Sequence, residues 1–520
     1  MNDTKTETGL QLPGPGDLAR LKDGTVDIPA FGGRLGVEWD PDARVTSAGG
    51  LAHFAAFLRT AGLFDELCQD FPIDYTSNNS SSKRDIVGSA VLAILLGKTR
   101  YVHINELRHD ESARLLLGLG KIVSEDSVRR ALKKPSEAEL DAWLAKHERR
   151  VYEEMLAHPY VVDIDNTVKP IYGHQEGAEL GYNPAKPGRP SHNYQSFFIG
   201  RARIALGVDV RRGSEHSGRH GMPRLMAFLD SLPPERRPAL VRGDVGYGTD
   251  EIMVAVEGRG VRFLFKIRRS RKVKGLFRLV APSREWRDCG CGWESFEATL
   301  RLEGWKKARR VVFVRRPAEK KDPPGKRRKK AAKPGEATQA EFDFAKDAGG
   351  REWDYFALVT NEGTLDATAL SQLYRDRGDC ENNFDEYKNQ WGWAGFTTRK
   401  LKPCRAMARL IAIVANWWNV FCRLADPSAH REAITSRPAY MGVVGRIVES
   451  GRKRTIRLTS THAEAAKIRD ALDAVAAFLR YLSSTAEQLT REVRWHLTIA
   501  YAFREILLPD PILKTVRLLR

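Results

Sequence analysis

Four residues in one short stretch carry the clearest chemical signal in the chain. Tyr374, Arg377, Glu381 and Lys388 are spaced Tyr-x2-Arg-x3-Glu-x6-Lys. At about 100° per residue on an α-helix they fall within an arc of roughly 60°. A surface helix ordinarily presents an apolar stripe at such spacing. Here the stripe is a phenol, a guanidinium, a carboxylate and an ammonium. That set suits a metal-bound phosphate: the carboxylate ligates a hard cation and the flanking cations hold phosphate oxygens. A plain i,i+4 ion pair between Arg377 and Glu381 would leave Tyr374 and Lys388 unexplained.

Phosphodiester cleavage at neutral pH needs charge-dense cations to activate the attacking oxygen and stabilise the leaving one. Two Mg²⁺ ions about 3.5–4 Å apart do both. Acids at strand ends and on a helix should then converge from distant segments. The candidates are Asp163 or Asp165 in the run Tyr-Val-Val-Asp-Ile-Asp-Asn-Thr, Asp244 after Ala-Leu-Val-Arg-Gly, and Glu381. Asp163 and Asp165, two apart on a strand, share a face, so either can be the metal ligand. A turn-capping role ahead of Gly246 is the plain alternative for Asp244.

The elements that must position these acids follow from pattern. Residues 1–45 read as an irregular arm, and 46–157 as a helical, DNA-binding region. In it Leu51, Phe54, Phe57 and Leu58 recur at helix spacing, and Ser124 caps a helix carrying Arg129 and Arg130. Such a helix can read DNA from a helix-turn-helix-like end or simply be a basic surface helix. Residues 158–260 give strands, a helix at 223–232 and a further strand, with acids at strand ends: an α/β core of ribonuclease H type. Residues 261–360 read as a β-rich insertion domain with strands at 261–267, 277–280, 295–302, 310–314 and 353–359. It is interrupted by a basic loop, 315–350, holding Lys326, Arg327 and Arg328. Residues 361–425 complete the core with the Glu381 helix and an apolar helix at 406–424. Residues 426–520 form a basic, helical C-terminal region.

The spacing of Tyr374, Arg377, Glu381 and Lys388 resembles the signature of bacterial insertion-sequence transposases with a DDE triad. Asp165-Asn166-Thr167 is similar to the family's first Asp-x-Thr motif, which favours Asp165 over Asp163. Arg242-Gly243-Asp244-Val245-Gly246-Tyr247 resembles the second Asp motif. The group-one DDE branch, with strands inserted before the catalytic Glu, fits best. The resemblance implies that Asp165, Asp244 and Glu381 are catalytic and ligate two Mg²⁺ ions, for which Mn²⁺ substitutes. It implies that Tyr374, Arg377 and Lys388 hold phosphates of the element's ends. The implied activity is that of a DNA transposase: binding terminal inverted repeats, cleaving the ends and joining them to target DNA. The alternatives are a ribonuclease H-like nuclease without strand transfer and an inactive DNA-binding descendant. A homodimer in the DNA complex is implied, because two ends must be held together.

Composition agrees with a polyanionic partner: 85 Lys and Arg against 66 Asp and Glu give a formal charge of +19 and a pI near 9.6. Six cysteines lack a disulfide rhythm, which fits a reducing compartment. Cys289-Gly290-Cys291 is too tight for a zinc knuckle and has no second pair. No apolar run is long enough for a bilayer, 86–97 being the longest. The expectation is a cytoplasmic, nucleoid-associated bacterial protein without membrane contact. Trp391 and Trp393, just past Lys388, either stack on an unpaired base or cap a core. His174 and His192 lie near the first acid and are assigned no role.

Overall fold

The computed structural model describes residues 26–75, 77, 79–183, 186–215, 217–283, 285–318, 345–346, 352–461, 464–484 and 489–507. Lys326, Arg327 and Arg328 lie outside them.

The described residues open with a hairpin, β1 (Val26–Ala30) and β2 (Gly33–Val37), within the stretch where an irregular arm is expected. Its two strands pair antiparallel across Phe31 and Gly32, and Gly33 takes the positive φ the tight turn requires. After β3 (Val45–Thr46) come six helices: α1 (Leu51–Ala61), α2 (Leu63–Gln69), α3 (Lys83–Leu95), α4 (Glu111–Leu116), α5 (Glu125–Lys133) and α6 (Glu137–Tyr152). The Ser124 hydroxyl accepts from the Ser127 N–H at the start of α5, satisfying one of the free donors of that helix end.

Strands β4 (Val161–Pro170), β5 (Ser191–Ile199) and β6 (Ile204–Arg212) then form an antiparallel meander. Helix α7 (Ser217–Asp230) leads to β7 (Leu240–Gly243), and α8 (Asp250–Glu257) to β8 (Arg262–Lys266). Both new strands run parallel to β4, as strand–helix–strand connections require. Next come α9 (Arg271–Val280), β9 (Arg287–Asp288), β10 (Glu294–Leu300), β11 (Arg309–Pro317), β12 (Ala345–Lys346) and β13 (Glu352–Thr360). The strand expected at 277–280 is the end of α9. Val273 and Phe277 bury one face of that helix, and a four-residue apolar run does not separate the two periodicities.

All ten strands from β4 to β13 belong to one sheet, in the order β6-β5-β4-β7-β8-β13-β11-β10-β9, with β12 on β13. The strands read as an insertion domain therefore extend the same sheet rather than forming a separate one. The chain ends with α10 (Ala367–Arg375), α11 (Gly378–Asp385), α12 (Leu401–Ala425), α13 (Ala433–Tyr440), a hairpin of β14 (Gly445–Ser450) and β15 (Lys453–Leu458), then α14 (Ala465–Ser484), α15 (Arg491–Ala502) and α16 (Arg504–Leu507). Of the basic stretch at 452–457, Arg452 thus lies in the hairpin turn and the rest in β15, and β14 pairs back to β3.

Helix α12 is the central pillar, buried along nearly its whole length. Asn416 clamps it to β6, accepting from Ala205 N–H and donating to Ala205 C=O. Trp418 donates its indole N–H to Ser436. No helix among the described residues is long and apolar enough to cross a membrane. The five cysteines at 68, 289, 380, 404 and 422 are buried and free, and Cys291 is exposed and free.

Candidate active site

The site is built where the parallel pairing of three neighbouring strands stops. In register, Asp163 lies beside Arg242 and Ile164 beside Gly243, while Arg242 lies beside Leu264 and Gly243 beside Phe265. One residue further along the chain in each case come Asp165, Asp244 and Lys266, the outer row, with Asp244 already past the end of β7. Strand residues two apart share a face. Asp165 therefore faces the same side as Asp163, and Lys266 the same side as Leu264. That side is covered by α10: Arg242 Nη1 donates to Leu373 C=O, and Leu264 packs with Leu370 and Leu373.

The two aspartates of β4 have different surroundings. Asp163 is 0% exposed and gripped at both oxygens by Arg242, with Nε at 2.6 Å and Nη2 at 2.7 Å. A doubly hydrogen-bonded buried pair of this kind is a fixed part of the interior. Asp165 sits at the rim. One of its oxygens accepts from the Asn166 N–H at 2.8 Å, and the other meets Arg377 Nη2 at 2.5 Å. Burial pushes its carboxyl up to about 6, Arg377 opposes the shift and Asp244 adds to it. The Asp165 and Asp244 carboxyl groups lie close enough to provide oxygens suited to a hard cation.

Asp244 is half-buried, and its Oδ1 accepts from Gly246 N–H at 2.9 Å. The turn-capping role weighed from the sequence is therefore present, and it occupies one oxygen. Tyr374, half-buried beside the Phe356 ring, lies among the charges of Arg377, Asp244, Asp165 and Glu381. Burial raises its phenol, and the three acids push the same way against Arg377.

The signature does not lie on one regular helix. Tyr374 ends α10, Arg377 stands in the break before α11, Glu381 is exposed on α11, and Lys388 falls in a π-helical turn, Glu386–Gln390. Three-residue hydrogen bonds, Arg377 N–H to Tyr374 C=O and Cys380 N–H to Arg377 C=O, tighten the first part. The π turn then widens the second, so the ideal arc does not apply. Arg377 is buried and turned onto Asp165, while Lys388 has Asp385 as its charged neighbour. Among the described residues no three His, Cys, Asp or Glu side chains form a group able to hold a metal ion. The full convergence of Asp165, Asp244 and Glu381 is thus not present: the first two share a row, and Glu381 stands apart on its helix.

Trp391 and Trp393 are corrected outright. Each is 2% exposed. Trp391 donates its indole N–H to Glu386 at 3.0 Å and lies under Arg437, and Trp393 donates to Ala408 C=O at 3.0 Å. Neither ring has a face free for a base. Arg129 is spent on Glu125 and Asp126, and Arg130 pairs with Asp126 while staying largely exposed. His192 Nε2 bonds Glu176 C=O inside the core. Cys289 lies 3.5 Å from Ser371 Oγ, and the Cys289 and Gly290 carbonyls accept from Arg375, so this turn docks onto α10. Lys266 is not singled out by sequence pattern. The available signal is that it ends β8 as Asp244 follows β7.

Residues 41–479 match the family described as transposase DDE domain, group 1. No curated protein matches the sequence. Among solved structures, a chain of the piggyBac transposase synaptic complex with hairpin DNA, determined by cryo-EM, is similar at 11% identity and a TM-score of 0.37. The alignment covers 86% of this chain and 84% of that one, a likeness too loose to carry an argument. With four-fifths of its length inside that family match, the chain belongs to the group 1 transposase DDE-domain family.

Proposed function

We propose that this chain is a DNA transposase that binds the terminal inverted repeats of its element, cleaves the ends and joins them to target DNA. The observation that carries the reading is the pair Asp165 and Asp244, each one residue past the paired stretch of two adjacent parallel strands and within electrostatic reach, with Asp163 withdrawn by Arg242. The strand order β6-β5-β4-β7-β8, three antiparallel and then two parallel to β4, supports a ribonuclease H-like core within the larger sheet. Ligands of open α/β sheets bind beyond the carboxyl ends of such strands.

The donor set fits Mg²⁺ or Mn²⁺. Asp165 and Asp244 supply carboxylate oxygens, and Glu381 would complete the set from α11. When bound, divalent cations activate water or a 3′-hydroxyl and stabilise the departing oxygen. This chain's own residues do the rest. Asp165 and Asp244 hold their oxygens on rigid strand ends. The Tyr374 phenol, kept protonated, donates a hydrogen bond toward phosphate, and Lys388 adds positive charge from the π turn after α11. The +19 charge draws the duplex in. Arg377, held by Asp165, serves a phosphate once that contact is exchanged. Two copies bring two ends together for joining.

The test is incubation of the full-length protein with Mg²⁺ and duplexes copied from the DNA flanking its coding region. Cut and joined products are expected, and Asp165→Asn, Asp244→Asn and Glu381→Gln should each abolish both. Cut but unjoined ends would mean a nuclease. A mobility shift without cutting would mean a binder that has lost catalysis.

A further inference from the structure

The third member of the site row is a lysine. Lys266 ends β8 one residue past the β7–β8 register pair Gly243–Phe265, as Asp244 follows β7, and it feels the charges of both Asp244 and Arg377. Its same-face predecessor Leu264 packs under α10, so Lys266 faces the side on which Tyr374 and Arg377 lie. The side chain is half-buried and its ammonium sits over the Phe356 ring, 5.3 Å from the centroid.

Such a position is costly for a cation. Burial disfavours its charge, Arg269 and Arg377 repel it, and Asp354 and Asp244 attract it only from a distance. Among the described residues Lys266 makes no ion pair within 4 Å, and no protein acceptor takes a hydrogen bond from its Nζ. A half-buried lysine resting on a ring face keeps its three N–H donors for a ligand. The signature cation Arg377 is already taken by Asp165, which leaves Lys266 as the uncommitted cation of the row. The chain continues from it as Lys-Ile-Arg-Arg-Ser-Arg-Lys, with Arg268, Arg271 and Lys272 exposed. This ridge carries positive charge away from the carboxylates along the start of α9.

We propose that Lys266 contacts the scissile phosphate. Its ammonium holds a non-bridging oxygen beside Asp244, and the ridge from Arg268 to Lys272 receives the adjoining backbone. Lys266 stays protonated throughout and makes or breaks no covalent bond. The inference rests on the reading of Asp165 and Asp244 as the cleavage site.

The experiment compares full-length wild type, Lys266→Met, Lys266→Arg and Asp244→Asn. Affinity is measured in EDTA for an element-end duplex with either a phosphate or an uncharged methylphosphonate at the scissile position. Wild type should bind the methylphosphonate duplex about tenfold more weakly, the size of one charge-assisted hydrogen bond. Lys266→Met should bind the phosphate duplex equally weakly, show no further loss with methylphosphonate, and lower the salt slope by about 1. Lys266→Arg should restore much of the discrimination. If Lys266→Met still discriminates as wild type does, or cleaves at the wild-type rate, the proposal is overturned. Should Lys266→Met fail to fold, judged by its melting curve, the same comparison is made with Lys266→Gln. Normal cleavage by Asp244→Asn would instead remove the site reading itself. Loss of cleavage there with normal cleavage in Lys266→Met would remove only the lysine.

Discussion

Two rows of the same three strands, two residues apart, show how a buried charge is made structural or kept available. In the inner row Arg242 uses Nε and Nη2 on Asp163 and Nη1 on Leu373 C=O, so its donors are consumed within the fold. In the outer row Arg377 reaches Asp165 through one nitrogen, leaves its buried Nε without a partner, and has Ile164 C=O only at 3.5 Å. Both pairs unite an Arg with an Asp of β4. The inner pair is saturated and cannot be exchanged without leaving bare charge behind. The outer pair is under-supplied, so a cation on Asp165 and a phosphate on Arg377 can replace it at little cost.

The sharpest way to break this comparison is to remove the outer acids. Asp165→Asn and Asp244→Asn should lower Mg²⁺-dependent end cleavage at least about 10³-fold, the several kcal/mol that metal assistance supplies. Urea unfolding of Asp244→Asn should stay near wild type. Removing the inner acid should do the reverse. Asp163→Ala leaves Arg242 buried and unpaired and should cost about 3–5 kcal/mol in the same unfolding experiment. If Asp163→Ala unfolds like wild type yet cannot cut, the assignments of the two rows are exchanged. Trp391→Ala should lose a similar amount, about 3–5 kcal/mol, through the cavity it leaves. Any folded fraction should still bind element-end DNA, since the ring has no exposed face.

A pH series separates the rows more finely. Asp165, pushed up to about 6 by burial, must shed its proton before a cation can bind. Its neutral form gains ground as pH falls through that value. Cleavage should therefore be full above about pH 7 and fall about tenfold per unit below 6, with Mg²⁺ affinity by calorimetry falling alongside. A flat profile down to pH 5 would mean that Asp165 is not a ligand. The smallest effect belongs to the N-terminal helices. Arg130→Ala, removing one exposed i,i+4 pair with Asp126, should change stability by under about 0.5 kcal/mol. Its loss of DNA affinity, if α5 touches backbone, should appear only as a shallower salt slope.

The legible parts of this chain were those in which a local rule acts alone. Ser124 before an acidic first turn announces the cap of α5, and the apolar run of α12 announces a core helix with packed tryptophans. The illegible parts depend on partners far away in sequence. Trp391 and Trp393 follow a functional signature and look available until Glu386, Arg437 and Ala408 are brought against them. The strands at 261–360 read as a separate insertion because sequence order does not reveal that β13 pairs with β8. The Tyr374-to-Lys388 arc assumed an ideal helix, and a tight turn followed by a π turn redistributes its members.

Residue type and spacing alone determined that carboxylates and cations recur in an order suited to phosphate chemistry, because those properties belong to side chains and short-range periodicity. Which aspartate of β4 is spent inside, and which lysine completes the outer row, was decided only when β4, β7 and β8 came side by side. Strand register couples residues about 80 and 100 positions apart through backbone hydrogen bonds, which no local pattern encodes.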